Sequence, residues 1–190
     1  MREDAENDEV IVSNHVFSGD ELYYFERPIK LIVSFFTFPI PSRIAHSDFE
    51  SLTQECIRIT GSQICVISEA SSVETLGESS NEIMIFGGEN VEVSTFVVKT
   101  DNETELREQF ERWNIETISK WNNCQKIAIH ITATDSKEPK NSENLFSEVF
   151  DDVKLGTIYL SANGTSSVSS SLDAFQRGSI YVIIGFANKL

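Results

Sequence analysis

The chain has 190 residues, 40% hydrophobic and 24% charged, with 13 phenylalanines, which is enough apolar side chain for one ordinary domain or two small ones. Its 15 Lys+Arg against 30 Asp+Glu leave a formal net charge of -15, a long-range field that repels nucleic-acid phosphate and anionic lipid. No apolar run approaches the roughly 18 residues of a membrane span, and the acidic opening "MREDAENDEV" is unlike a signal peptide, so a cytoplasmic protein is expected.

Residues 1–9 read as a charged tail, and an apolar extension follows to residue 25. Within it Val10, Ile11, Tyr23, Tyr24 and Phe25 precede the first predicted strand, where they can dock on a partner or fold back as an added strand. The alternating run "IKLIVSFFTF" from Ile29 to Phe38 predicts a strand stopped by the prolines of "PIP". "SDFESLTQECIRIT" predicts a helix with Ser47 or Asp48 as N-cap, Leu52, Cys56 and Ile59 on one face, and Gly61 past its end. A second strand, "SQICVIS", a serine-rich loop, "EASSVETLGESS", and a third strand, "NEIMIFGG", complete the round. "ENVEVSTFVVKT" is undecided: Val91, Val93, Thr95 and Val97 alternate like a strand, but the position after Gly88 suits a helix.

From Glu103 to Trp121 the helical periodicity is strong, with Leu106, Phe110, Trp113, Ile118 and Trp121 recurring at helical spacing after the candidate caps Asp101 and Asn102. A core-packing helix is expected there. The first pattern then returns: "QKIAIHITAT" as opening strand, "NSENLFSEVFDDVKLG" as a helix ending in glycine, "TIYLSANG" as second strand, "TSSVSSSLDAFQR" as serine-rich loop and "GSIYVIIGFA" as third strand. The spacings of Lys30, Ile64 and Ile83 agree approximately with those of Lys126, Ile158 and Ile180, as an internal repeat requires.

Side chains that carry chemistry are scattered. Cys56, Cys65 and Cys124 are an odd set without metal-like spacing, and read as free thiols of a reducing compartment. His15, His46 and His130 stand far apart, and His130, inside a strand, reads as a strand-face residue rather than a ligand. No cofactor loop, nucleophile or acid-base pair can be named. The serine-rich stretches have no GxSxG character and read as connectors, with phosphorylation as a minor option. The sequons at Asn102 and Asn163 carry no weight without a secretory route.

The order strand, helix-turn-helix, "ITGSQICVIS", variable loop and "IMIFGG" resembles a KH domain of the eukaryotic type, and "KLGTIYLS" with "YVIIGFA" matches it more faintly in the second half. The resemblance implies an α+β fold of two tandem KH-like modules (type I, β-α-α-β-β-α), each a three-stranded sheet backed by helices. They would span residues 26–122 and 123–190, the second lacking its closing helix. KH domains grip RNA through a GXXG loop. The corresponding stretches, "AHSDFE" at 45–50 and "KEPKNS" at 137–142, contain no glycine and in the first add Asp48 and Glu50. Degenerate modules of this kind resemble the glycine-less units of Bicaudal-C-type arrays.

The expectation that follows is a protein-interaction scaffold in an RNA-regulatory complex. It would have no catalysis, cofactor, small-molecule ligand or membrane contact, and direct nucleic-acid binding would be weak or absent. One alternative is RNA binding through a surface of Lys30, Arg43, His46 and Phe49, the last stacking on a base. Another is a small α/β enzyme of unrecognised type.

Overall fold

A computed structural model describes residues 10–13, 28–39, 63–71, 81–161, 164–169 and 175–187. The fold is α+β, with mixed sheets and, among the described residues, two α-helices. In chain order the strands of the first half are β1 (Val10–Ser13), β2 (Ile29–Pro39), β3 (Gln63–Ser71), β4 (Asn81–Gly87) and β5 (Val91–Val97). Helix α1 (Glu103–Glu116) and a 3-10 turn (Ile118–Lys120) lead to β6 (Cys124–Ala133), helix α2 (Ser142–Val149) and β7 (Lys154–Leu160). The chain finishes with β8 (Thr165–Ser169), β9 (Gln176–Arg177) and β10 (Ile180–Ala187).

One sheet has the order β1-β4-β2-β3-β8-β9 and the other β5-β10-β6-β7. In the first, β2 lies antiparallel to β4 and parallel to β3. In the second, β6 lies antiparallel to β10 and parallel to β7. Antiparallel strands extend both sheets: β1 on β4 and, at the other end, β8 on β3 with β9 beyond it in the first, and β5 on β10 in the second. The repeat read from the sequence thus corresponds to a repeated strand order.

The two sheets pack face to face. Leu31 and Val33 of β2, Cys65 and Ile67 of β3 and Phe86 of β4 meet Val91, Ile131, Leu160, Ile180, Val182 and Ile184 of the other sheet. Strand β10 is buried on both sides, which explains its nearly unbroken apolar run. Ile180, Val182 and Ile184 point into the sandwich, while Tyr181 and Ile183 meet the helices. The outer layer on that side comprises α1, contributing Leu106, Phe110 and Trp113, and α2, contributing Leu145 and Phe146. Burying each such side chain contributes roughly 1.5–3 kcal/mol.

Helix α1 starts where its cap dictates: Asn102 Oδ1 accepts from the Glu105 N–H at 3.0 Å. It is tied down by Trp113, whose indole N–H donates to Ser94 Oγ at 2.8 Å, and by Asn114, which donates to the Val149 carbonyl at 3.2 Å. The helix packs its apolar face on the second sheet, as the expected core-packing role requires.

One open segment is decided and other expectations are corrected. The undecided segment 89–100 contains a strand, β5, because β10 offers it a full antiparallel register from Val97 to Val91. "NSENLFSEVFDDVKLG" is not one helix capped by Gly156. The helix ends at Phe150, whose N–H closes on the Phe146 carbonyl, because Phe150 and Val153 are both drawn into the core, and Gly156 lies inside β7. The serine-rich 165–177 stretch is not wholly a connector. Thr165–Ser169 pairs with β3 and with β9, and Ser166 Oγ satisfies itself on the Gly178 carbonyl at 2.7 Å. Gly178 itself has φ +142°, a conformation open essentially to glycine alone.

The β-α-α-β pattern of the KH resemblance requires two helices between the first and second strands of a module, but β6 and β7 are joined by α2 alone. The expected boundary at 122/123 also does not coincide with the division between the sheets. On its N-terminal side β5 and α1 belong with the second sheet, and on its C-terminal side β8 and β9 complete the first. The helix-turn-helix expected within 42–61 lies outside the described residues, as do residues 72–80 of the first serine-rich loop.

Candidate functional site

The β6-α2-β7 unit is a parallel crossover, and in such units chemistry gathers at the carboxyl ends of the strands. The alternation of "AIHIT" places Ile129 and Ile131 toward the sandwich, leaving Ala128 and His130 on the helix face. His130 is fully buried, its ring stacked on Tyr181 with centroids 4.1 Å apart and planes 9° from parallel. Tyr181 is stacked in turn on Phe146 at 4.9 Å.

Both ring nitrogens of His130 face carboxylates. Nε2 lies 3.1 Å from Glu138 Oε2, on the loop before α2, and Nδ1 lies 3.3 Å from Glu143 Oε1, in the first turn of α2. A neutral imidazole donates from one nitrogen and an imidazolium from both, so the tautomer and the proton on the ring set which carboxylate it serves. Around it, the Thr132 and Ser136 hydroxyls donate to Glu138 Oε1, and Ser179 Oγ lies 2.9 Å from Thr132 Oγ1. Glu143 Oε1 also accepts from Thr157 at 3.0 Å and from the Tyr159 hydroxyl at 2.7 Å.

The electrostatics follow from these bonds. Burial on its own would push the Glu138 carboxyl up, but hydrogen bonds from His130 and Thr132, the His130 charge and Ser179 outweigh it and hold the group at about 2. Glu143 moves in the same direction, burial being outweighed by Tyr159, Thr157 and His130. Burial pushes the Tyr181 hydroxyl well up, so it stays protonated. This hydroxyl makes no hydrogen bond of good geometry, although the Ser142 side chain stands beside it.

A pH dependence follows. Glu138 titrates near 2 in the folded chain and near its ordinary 4.5 when unfolded, so the unfolded state binds the proton first as pH falls. Its stabilisation is intact above pH 4.5 and is lost progressively down to pH 2. Urea unfolding over that window is expected to show a falling midpoint in the parent and a flatter profile in Glu138→Gln. Parallel profiles would contradict the assignment.

The two carboxylates sit on different nitrogens of the ring, so they do not converge on one point with it, and no metal-holding group of His, Cys, Asp and Glu occurs among the described residues. Both His130 nitrogens face carboxylates, and the ring is buried between them and Tyr181. The arrangement ties the β6–α2 loop and the start of α2 to one buried imidazole, and β7 to the same cluster through Glu143.

The site residues expected from sequence are not brought together here. Val10 and Ile11 lie in β1, an edge strand paired opposite Phe86 and Ile85, so that part of the extension folds back on the sheet. Tyr23, Tyr24 and Phe25 lie outside the described residues, as do Arg43, His46 and Phe49. Lys30 is half-buried within β2, where the register with β4 shifts between Ile29 and Leu31. Sequence reasoning placed His130 on a strand face but missed its carboxylates. The available signal was the alternation itself, which sets His130 and Thr132 on one face of an otherwise apolar strand just before an acidic helix start.

No helix among the described residues is long and apolar enough to cross a membrane. No protein-family model matches the chain, and no curated protein sequence matches it.

Proposed function

We propose that the protein is a non-catalytic protein-interaction scaffold. The observation that carries this reading is the saturation of the one buried ionisable cluster described above: each His130 nitrogen is committed to a carboxylate and the ring face to Tyr181. Such a cluster braces a surface; it does not turn over a substrate. The surface so braced offers acid and two exposed large hydrophobics. Ile115 of α1 is 70% exposed among Glu108, Glu111 and Glu116, and Tyr159 of β7 is 68% exposed beside Glu143.

The RNA-regulatory setting rests on the KH resemblance. The repeated strand order supports it, whereas the absence of glycine from 45–50 and 137–142 and the single helix between β6 and β7 depart from the pattern. Direct RNA binding is disfavoured by the net charge of -15, and Lys30, the one described cation of the alternative RNA surface, is only half exposed within a paired strand.

Purification of the tagged chain from source cells, with and without ribonuclease, tests the proposal. A stoichiometric protein partner retained after ribonuclease is the expected result. Binding of single-stranded RNA oligomers at about micromolar affinity in physiological salt, with a steep salt slope, would overturn it.

A further inference from the structure

Strand β7 occupies one end of its sheet. Its seven residues, Lys154–Leu160, pair with β6 on one side, and among the described residues no strand pairs with the other. An unpaired edge is a template for an added strand unless something blunts it. Neither proline nor a register shift interrupts β7, and Gly156 within it has no close neighbour around its Cβ position.

The edge also carries a side-chain feature of its own. Tyr159 is 68% exposed, yet its hydroxyl is held at 2.7 Å by Glu143 Oε1, so the ring is fixed in place with its surface free. Glu143 keeps 38% of its side chain exposed, and its bonds to His130, Thr157 and Tyr159 all fall on Oε1, which leaves Oε2 for an incoming donor. A fixed aromatic face beside an ionised carboxylate is the environment that a guanidinium takes, stacking on the ring and pairing with the acid. The exposed Asp151 and Asp152 lie just before the strand.

We infer that the open edge of β7 receives an extended, arginine-bearing segment of a partner protein by strand addition, with an arginine seated on Tyr159 and Glu143. This rests on the interaction-scaffold reading and names the partner's chemistry. Charge selects the occupant: two copies of a chain with net charge -15 repel each other, whereas a basic strand is drawn in. Main-chain hydrogen bonds to β7 supply affinity and the alternate side chains supply selection.

A labelled probe peptide, acetyl-Val-Arg-Val-Arg-Val-Arg-Val-amide, is titrated against the full chain by fluorescence anisotropy at physiological salt. Binding at about tens of micromolar is expected, weakening about tenfold when alternate peptide nitrogens are methylated, which keeps the charge but removes the strand hydrogen bonds. Tyr159→Leu, in protein whose far-ultraviolet circular dichroism matches that of the parent, is expected to weaken binding about fivefold. Equal affinity of the methylated peptide, no binding below about millimolar, or a concentration-dependent dimer abolished by Tyr159→Leu would each overturn the assignment. A cellular partner that binds Tyr159→Leu as tightly as the parent would also remove β7 as the site while leaving the scaffold reading intact, so the two fail separately.

Discussion

His130→Ala is expected to cost about 3–5 kcal/mol of unfolding free energy, the range for truncating a large buried ring, here one whose polar partners are also left behind. The reason lies in what is left behind. Glu138 keeps only 9% of its side chain exposed and would retain hydroxyl donors but lose the imidazole, while Glu143 would lose its contact with β6. The stack on Tyr181 would lose a ring, opening a void in the helix-facing side of the second sheet. For a chain of this length the loss corresponds to a fall in melting temperature of about 10–15 °C. A circular-dichroism melt of the variant measures it directly. Adding Glu138→Gln removes the stranded charge, so the double variant should be more stable than the two single losses predict, by about 1–3 kcal/mol. A single variant that loses less than about 1 kcal/mol would mean that the cluster is not the brace that its geometry describes.

The sequence disclosed the strands more readily than their arrangement. Alternation located β2, and periodicity with a cap located α1, because in each case a buried face marks the element, while the returning pattern located β6 and the nearly unbroken apolar run of β10. Val91–Val97 could not be assigned locally, since what makes it a strand is β10, more than 80 residues away in the chain. Thr165–Ser169 was hidden by its serines, which have little intrinsic preference for strands and are held there by pairing on both sides. The candidate site was half legible. The strand face of His130 follows from alternation, but its two carboxylates arrive from a loop and a helix start whose approach depends on the turn around Pro139. Composition gave the sign of the surface, and no local pattern revealed that one end of the second sheet is an open strand carrying an immobilised tyrosine.

Phe110→Ala is expected to destabilise the chain by about 3–5 kcal/mol, as large aromatic truncations in cores do. The ring joins four elements. Its centroid lies 5.2 Å from Phe96 on β5, 5.6 Å from Phe146 on α2, 6.1 Å from Phe150 after it and 5.1 Å from Tyr181 on β10. Several of these contacts are edge-to-face, so truncation removes ring-ring attraction as well as buried area. Because Tyr181 is also the ring on which His130 rests, loosening Phe110 should weaken the charged cluster too. The flattened acid profile expected for Glu138→Gln should therefore appear, in reduced form, in Phe110→Ala. Ile115→Ala, one turn further along α1 on its solvent side, should change stability by less than about 0.5 kcal/mol. Urea denaturation of the two variants side by side separates the packed face of α1 from its free face. Similar losses at both positions would place the helix in an orientation that could not bury Phe110, and with it the path from the helical layer to His130 would disappear.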